Sequence, residues 1–211
     1  KLSFMSMPRK IYRMPTVTLA AMTDISACIA KRFLELQDWK ALLVIMLEEK
    51  LLPQKTLTGQ KRVFAEIRFR LEHLNEEEMD LLANSELLTQ RLIIHLAACK
   101  AYPFLHKFMV QVLREKMQVY DFSLNIFDFQ RFWDEESTLH PEVERLGEVS
   151  QQQIRRAVFR FLAETGLTDS NKDPKLQTPW VSHELGRVIG RNNPEWLKIF
   201  LLSDQQIYDL I

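Results

Sequence analysis

Glycine is scarce in this chain, with five residues among 211. They are scattered, so no glycine-rich loop can cradle a phosphate on backbone amides, and the nucleotide-binding classes built on such loops are excluded. Cysteine is scarcer still. Cys28 and Cys99 stand far apart and fit no disulfide or metal-ligand spacing. They read as reduced, buried thiols of a cytoplasmic protein. Long apolar runs are missing too. The most apolar stretch, Leu87 to Val112, is interrupted by Arg91, His95, Lys100, Pro103, His106 and Lys107. A membrane-spanning helix needs about 20 nearly uncharged residues, so no membrane segment is expected. No apolar h-region follows the basic N-terminal residues, so a secretory signal is not expected either. The formal net charge is zero, which argues against strong indiscriminate binding to nucleic acid.

A hydrophobic content of 46% and a charged content of 27% describe a soluble globular protein that can bury a core without staples. The charge is unevenly spread. Residues 1–74 carry +6, residues 75–148 carry −7 and residues 149–211 carry +1. Basic ends around an acidic middle suit a protein with separate contact surfaces for acidic and basic partners.

Residues 1–15 hold Arg9, Lys10 and Arg13 between prolines, which predicts a flexible or extended arm. Such arms can enter a minor groove, although three basic residues are thin support. Apolar residues at helical spacing then predict helices at about Leu19–Leu36, Trp39–Leu51 and Gly59–Leu74. In the third, Val63, Phe64, Ile67 and Leu71 face inward, while Lys61 and Arg68 lie outward with Arg62 beside them. A helix, a turn and a second helix with basic residues outside is a helix-turn-helix pattern, and equally the pattern of a plain three-helix bundle. Asn75 with Glu78 caps a short acidic helix. Ser85 opens a nearly all-apolar helix to Ala101, and Phe104 to about Val119 continues as its packed partner. Val119 to Leu124 alternates like a short extended segment. Asn125 with Asp128 caps a helix whose aromatic-rich face, Ile126, Phe127, Phe129, Phe132 and Trp133, reads as core.

The most informative stretch is Ser150 to Gly166. Ile154, Ala157, Val158, Phe161, Leu162 and Thr165 share one helical face; Gln152, Gln153, Arg156 and Arg160 share the other. Ser150 with Gln153 predicts the start, and Gly166 the stop. The polar, turn-rich segment Leu167–Leu176 follows, carrying Lys172 and Lys175. A short helix from Pro141, a turn, this long helix and a hairpin form the order of a winged helix-turn-helix, with the outer stripe facing base edges and the lysines facing phosphates. An amphipathic helix with a solvated basic face fits the same residues.

Catalytic patterns are absent: no nucleophile elbow, kinase set or zinc-protease motif occurs. His95 and Cys99 stand at i and i+4, but on the most apolar helix and without further ligands, so they read as core rather than as a metal site. No cofactor, no metal and no small-molecule substrate is expected, and the chain reads as a non-enzyme.

Several stretches carry a family resemblance. They are LELQDWKALLVIMLEEKLLPQKT, then GQKRVFAEIRFRLEHLNEEEMDLL, then FMVQVLREKM followed by FSLNIFDFQRFWDE, and finally QQQIRRAVFRFLAETGLTD. In this order, from Leu34 to Asp169, the chain resembles the BrxA family of BREX phage-defence systems. The resemblance implies an all-helical, non-enzymatic cytoplasmic protein with helix-turn-helix elements that binds double-stranded DNA and works with other BREX proteins. The expected architecture is all-α, with two helix-turn-helix-like units, the C-terminal one winged by a short β-hairpin. The first unit spans residues 1–84. The second, 85–211, combines the central helical pair with the winged unit. The DNA-contacting residues would be Lys61, Arg62, Arg68, Gln152, Gln153, Arg156, Arg160, Lys172 and Lys175. A protein-docking scaffold and an RNA-binding helical protein are the alternatives.

Overall fold

Side-chain caps set half of the helix starts among the described residues. The computed structural model describes residues 12–16 and 18–211. Helix α1 (Thr23–Leu36) starts later than the apolar spacing predicts, because Met22 sits in the left-handed region at φ 48°. Asp38 opens α2 (Trp39–Glu48), its Oδ1 accepting from the amides of Lys40 at 2.7 Å and Ala41 at 3.2 Å. Left-handed Lys50 ends that helix before Pro53 does. Thr56 caps α3 (Leu57–Leu71), which moves its start two residues ahead of Gly59. Asn75 and Glu78 form the expected capping box of α4 (Glu76–Asn84), each side chain taking up the other's orphan amide. Helix α5 (Leu87–Ala101) starts behind Glu86 rather than at Ser85.

After Tyr102 the chain runs as one helical rod: α6 (Pro103–Lys107), a π-helical segment (Phe108–Leu113) and α7 (Arg114–Gln118). The Asn125–Asp128 box opens α8 (Ile126–Leu139), followed by α9 (Pro141–Glu144) and α10 (Glu148–Glu164). Ser182 caps α11 (His183–Asn192), Asn193 caps a 3-10 helix (Pro194–Phe200), and Ser203 caps α12 (Asp204–Leu210), a helix the spacing did not predict. The fold is all-helical, as expected. Among the described residues there is no β-strand, only two isolated antiparallel bridges, Thr168 with Leu176 and Ser123 with Lys175.

Helix α5 runs through the middle because almost no polar face is left on it. It packs against α1, α3 and α4 and against the 3-10 helix. The rod after it buries Phe104, Leu105, Phe108, Met109 and Leu113 completely. Phe104 and Phe108 meet Phe129, Phe132 and Trp133 of α8 at ring separations of 4.9 to 5.9 Å, in the tilted and edge-on geometries that aromatic quadrupoles favour. The aromatic face read as core divides here: Phe129, Phe132 and Trp133 are buried, whereas Ile126 and Phe127 of the first turn are exposed.

Arg9 and Lys10 lie outside the described residues. The described part of the arm, residues 12–16, has no helix or strand and is packed through Tyr12, which corrects the flexible half of its reading. The Tyr12 ring stacks on His140 at 3.5 Å, and its hydroxyl donates to buried Glu136. Lys107 donates to the same carboxylate at 3.0 and 3.1 Å. Arg13, exposed, lies 4.2 Å over the ring of Phe69 in a cation–π contact. The burial of an aromatic side chain and two satisfied charges holds this segment down.

His95 and Cys99 are both buried, 3.6 Å apart, with His95 stacked near Phe161. Burial pushes the imidazole pKa down to about 3 and the thiol well above its ordinary range. Cys28 is only half-buried, less than expected. Because His95 ionises near pH 6.5 once unfolded, the unfolded chain takes up a proton that the folded one does not between pH 6.5 and about 3. Stability is then full above pH 6.5 and is lost as the pH falls, by roughly 1.4 kcal/mol per pH unit from this group. Urea unfolding of wild type and His95→Gln between pH 7 and pH 4.5 should show the steeper decline in the wild type; equal slopes would mean that His95 is protonated in the fold.

Candidate nucleic-acid interface

The apolar spacing of α10 decides which side chains are left outside. Ile154, Ala157, Val158, Phe161 and Leu162 are all buried, as is Thr165 behind them. The helix starts at Glu148 behind Gly147, which offers no side-chain cap, so Ser150 lies within the first turn and its expected capping box with Gln153 is not used. The end is as expected. Gly166 takes φ 81°, its amide donates to the Ala163 carbonyl at 3.2 Å, and the Leu167 amide donates to the Leu162 carbonyl at 2.9 Å. These two bonds form a Schellman turn, which a residue with a Cβ would strain. They also aim the chain into the following loop.

That loop returns on itself. The Asp169 amide donates to the Lys175 carbonyl at 3.1 Å, the Lys175 amide to Asp169 Oδ1 at 2.8 Å, and the Gln177 amide to the Leu167 carbonyl at 2.9 Å. A third segment joins it: the Leu176 amide donates to Phe122 at 2.7 Å and the Leu124 amide to Pro174 at 3.0 Å. Pro174 brings no amide of its own, and the polar tip around left-handed Asp173 forms no ladder, so pairing stops at isolated bridges. Of the alternation read at Val119–Leu124, only Phe122–Leu124 is a partner of the loop; Val119 and Tyr120 form a turn, with Tyr120 at φ 60°.

Between the loop, α10 and the start of α8 lies an open cleft of about 500 Å³. Arg155, Arg156 and Lys172 line it with Asn171 and Asp173; Leu124, Phe159 and Pro174 add apolar surface, and Ile126 and Phe127 complete the lining. Among the candidate residues, the structure brings Arg156 and Lys172 together here. Gln152 and Gln153 are exposed on the same helix nearer its start, and Lys175 is exposed on the loop, none of them lining the cleft.

Arg160 is differently engaged. It donates through Nη2 to the Leu19 carbonyl at 2.8 Å and faces Glu164 at 3.6 Å, while Glu164 accepts from the Ala21 amide at 2.7 Å. Its side chain is 46% exposed, so part of its donor capacity is used within the fold. The N-terminal candidates are separate. Lys61 and Arg62 are exposed near the start of α3. Arg68, seven residues on and roughly 10 Å along the axis, donates to Glu72 at 2.7 Å and lies 5.7 Å over Trp39.

Two side chains of the cleft escaped sequence reasoning. Arg155 sits at the border of the apolar face and is half-buried. Phe127 was grouped with the core aromatics, yet it is 81% exposed. The signal was present: its helical neighbours at i+3 and i+4 are Gln130 and Arg131, which mark a wet face.

A family model described as BrxA matches residues 10–193. A crystal structure of an uncharacterized protein from Magnetospirillum magneticum superposes with a TM-score of 0.71 at 19% identity, covering 86% of this chain and 93% of that one; at that identity it shows a shared fold. No curated protein matches the chain. No helix among the described residues is long and apolar enough to cross a membrane.

The geometry separates two arginines that the sequence made equivalent. Arg160→Ala should lower stability by about 1 kcal/mol, by removing a charged donor from a part-buried carbonyl, while Arg156→Ala leaves it within about 0.5 kcal/mol. Denaturant midpoints of the two variants check this.

Proposed function

The chain belongs to the BrxA family and so to the components of BREX phage defence; from that premise we propose that it is a non-enzymatic accessory protein that grips double-stranded DNA. Arg155, Arg156 and Lys172 hold the phosphates. One observation carries the reading: three cations from two segments of the chain converge on one open cleft in a protein whose net charge is zero. A local excess of positive charge on a neutral protein favours a confined anionic contact over general polyanion binding. Gln152 and Gln153, on the same exposed helix, are placed to reach along a groove, with Lys175 toward flanking phosphates. In this reading α9 and α10 are the helix-turn-helix of the C-terminal unit and the bridged loop after Gly166 is its short wing. Lys61, Arg62 and Arg68 of α3 form a second contact in the N-terminal unit, weaker because Arg68 is already paired.

Other BREX proteins are the expected protein partners. The acidic Glu76, Glu77 and Asp80 of α4, exposed on a surface remote in sequence from the cations, suit a basic protein surface. The helical DNA-binding units, the cytoplasmic location and the absence of catalysis belong to the same proposal.

A salt series on a labelled duplex tests it. Wild-type protein should bind saturably and weaken as salt rises. Arg155→Glu with Arg156→Glu should lower affinity at least ten-fold and reduce the slope of log affinity against log salt by about one for each lost phosphate contact. Unchanged affinity and slope in the double variant would remove α10 from the interface.

A further inference from the structure

The shape of the cleft is at odds with a simple convex reading helix. A recognition helix enters a groove as a ridge. Here Arg155 and Arg156 border a concavity, and the floor is apolar: Leu124 and Phe159 are buried to 3% and 8% exposure, and Pro174 is buried beside them. A volume of about 500 Å³ falls within the range of pockets that take small planar ligands, about 300 to 1,000 Å³.

Phe127 forms one wall, and its two sides differ in charge. On one side lie Arg155, Arg156 and Lys172, with Asp173 the one carboxylate among them. On the other is a shallow shelf with Asp128, Asp134 and Glu135, where Arg131 is the one cation and faces Asp128 at 3.8 Å. Asp128 is already paired with Lys116 at 3.2 Å, while Asp134 and Glu135 are exposed. A phosphate is attracted on the first side and repelled on the second, which fixes where a nucleic-acid backbone can run. A phenylalanine 81% exposed in the first turn of a helix contributes little to the core and leaves its ring face open. Aromatic rings and guanidinium planes are the surfaces on which unstacked bases rest, with the neighbouring cations holding the phosphates.

We infer that this cleft takes an unpaired base, stacked on Phe127 beside the Arg155–Arg156 guanidiniums, so that the protein favours DNA carrying an extrahelical base over fully paired duplex. This rests on the DNA-binding reading above. An acidic, aromatic peptide would be drawn to the same cations, but it would not need a slot open along one wall and acidic on its outer side.

Three short duplexes of one sequence test it: fully paired, with a single bulged thymine, and with the same bulge made abasic. The abasic bulge keeps the bend and the flexibility but lacks the ring. Wild-type protein should bind the thymine bulge about ten-fold more tightly than the abasic one, the size of one base–aromatic stack. Phe127→Ala, at an exposed position, should erase that difference, and Phe127→Trp should retain it. Equal affinity for the two bulges overturns the inference while the duplex reading stands. Equal loss on all three duplexes in Phe127→Ala overturns it as well. If none of the duplexes binds, the parent reading falls and this one falls with it.

Discussion

The buried guanidinium of Arg70 constrains the whole N-terminal half. It is 2% exposed, and its Nε and Nη2 lack partners. Glu66 is 3.7 Å away, and the Ala20 carbonyl accepts from Nη1 at 2.8 Å. Burial pushes its pKa down from the ordinary range. A charge so placed must be answered nearby, since leaving it alone costs several kcal/mol. Residues 19–21 give that answer, and they give it to α10 as well, through Arg160 on the Leu19 carbonyl and Glu164 on the Ala21 amide. Three backbone groups in a row therefore tie α3 to α10. The segment cannot lift away without exposing two helices at once, and Tyr12 on Glu136 and His140 anchors it further upstream.

With α10 fixed from one side, its remaining polar face is free to act, and the Schellman turn at Gly166 delivers the next loop to that face. The Asn125–Asp128 cap delivers the start of α8 to the same place, helped by Lys116, which bridges Asp121 and Asp128. The cleft thus depends on three local devices: a glycine in the left-handed region, a reciprocal cap and a pair of backbone bonds between the loop and residues 122–124. None is catalytic in character. Each is a means of holding charged and aromatic side chains out of the core at fixed separation.

Much of this was legible in the chain. Apolar spacing located the helices up to α10, and the caps at Asn75 and Asn125 marked starts that the structure keeps. It was less reliable where backbone conformation decides: Met22 and Lys50 adopt left-handed angles that no residue type announces, and Ser150 looks like a cap but lies inside its helix. Of the candidate residues, Arg156 and Lys172 share a site, Arg160 is drawn partly into the fold, and the α3 cations stand apart. Arg155 and Phe127 were missed for opposite reasons, one lying on the border of an apolar face and the other hidden in an aromatic run. Periodicity reports which face a residue is on, but not which distant segment will arrive opposite it. Residues 122–127 and 171–174 meet α10 only through tertiary packing.

The central claim is that DNA is held at the junction of α10, the loop after it and the start of α8. Amide hydrogen exchange with and without saturating duplex measures this across the whole chain at once. The account predicts that protection on binding concentrates in residues 122–128, 148–160 and 169–175, with at most a smaller effect at the start of α3. Protection confined to α3, or spread over the acidic helix α4 with none around Lys172, would contradict it.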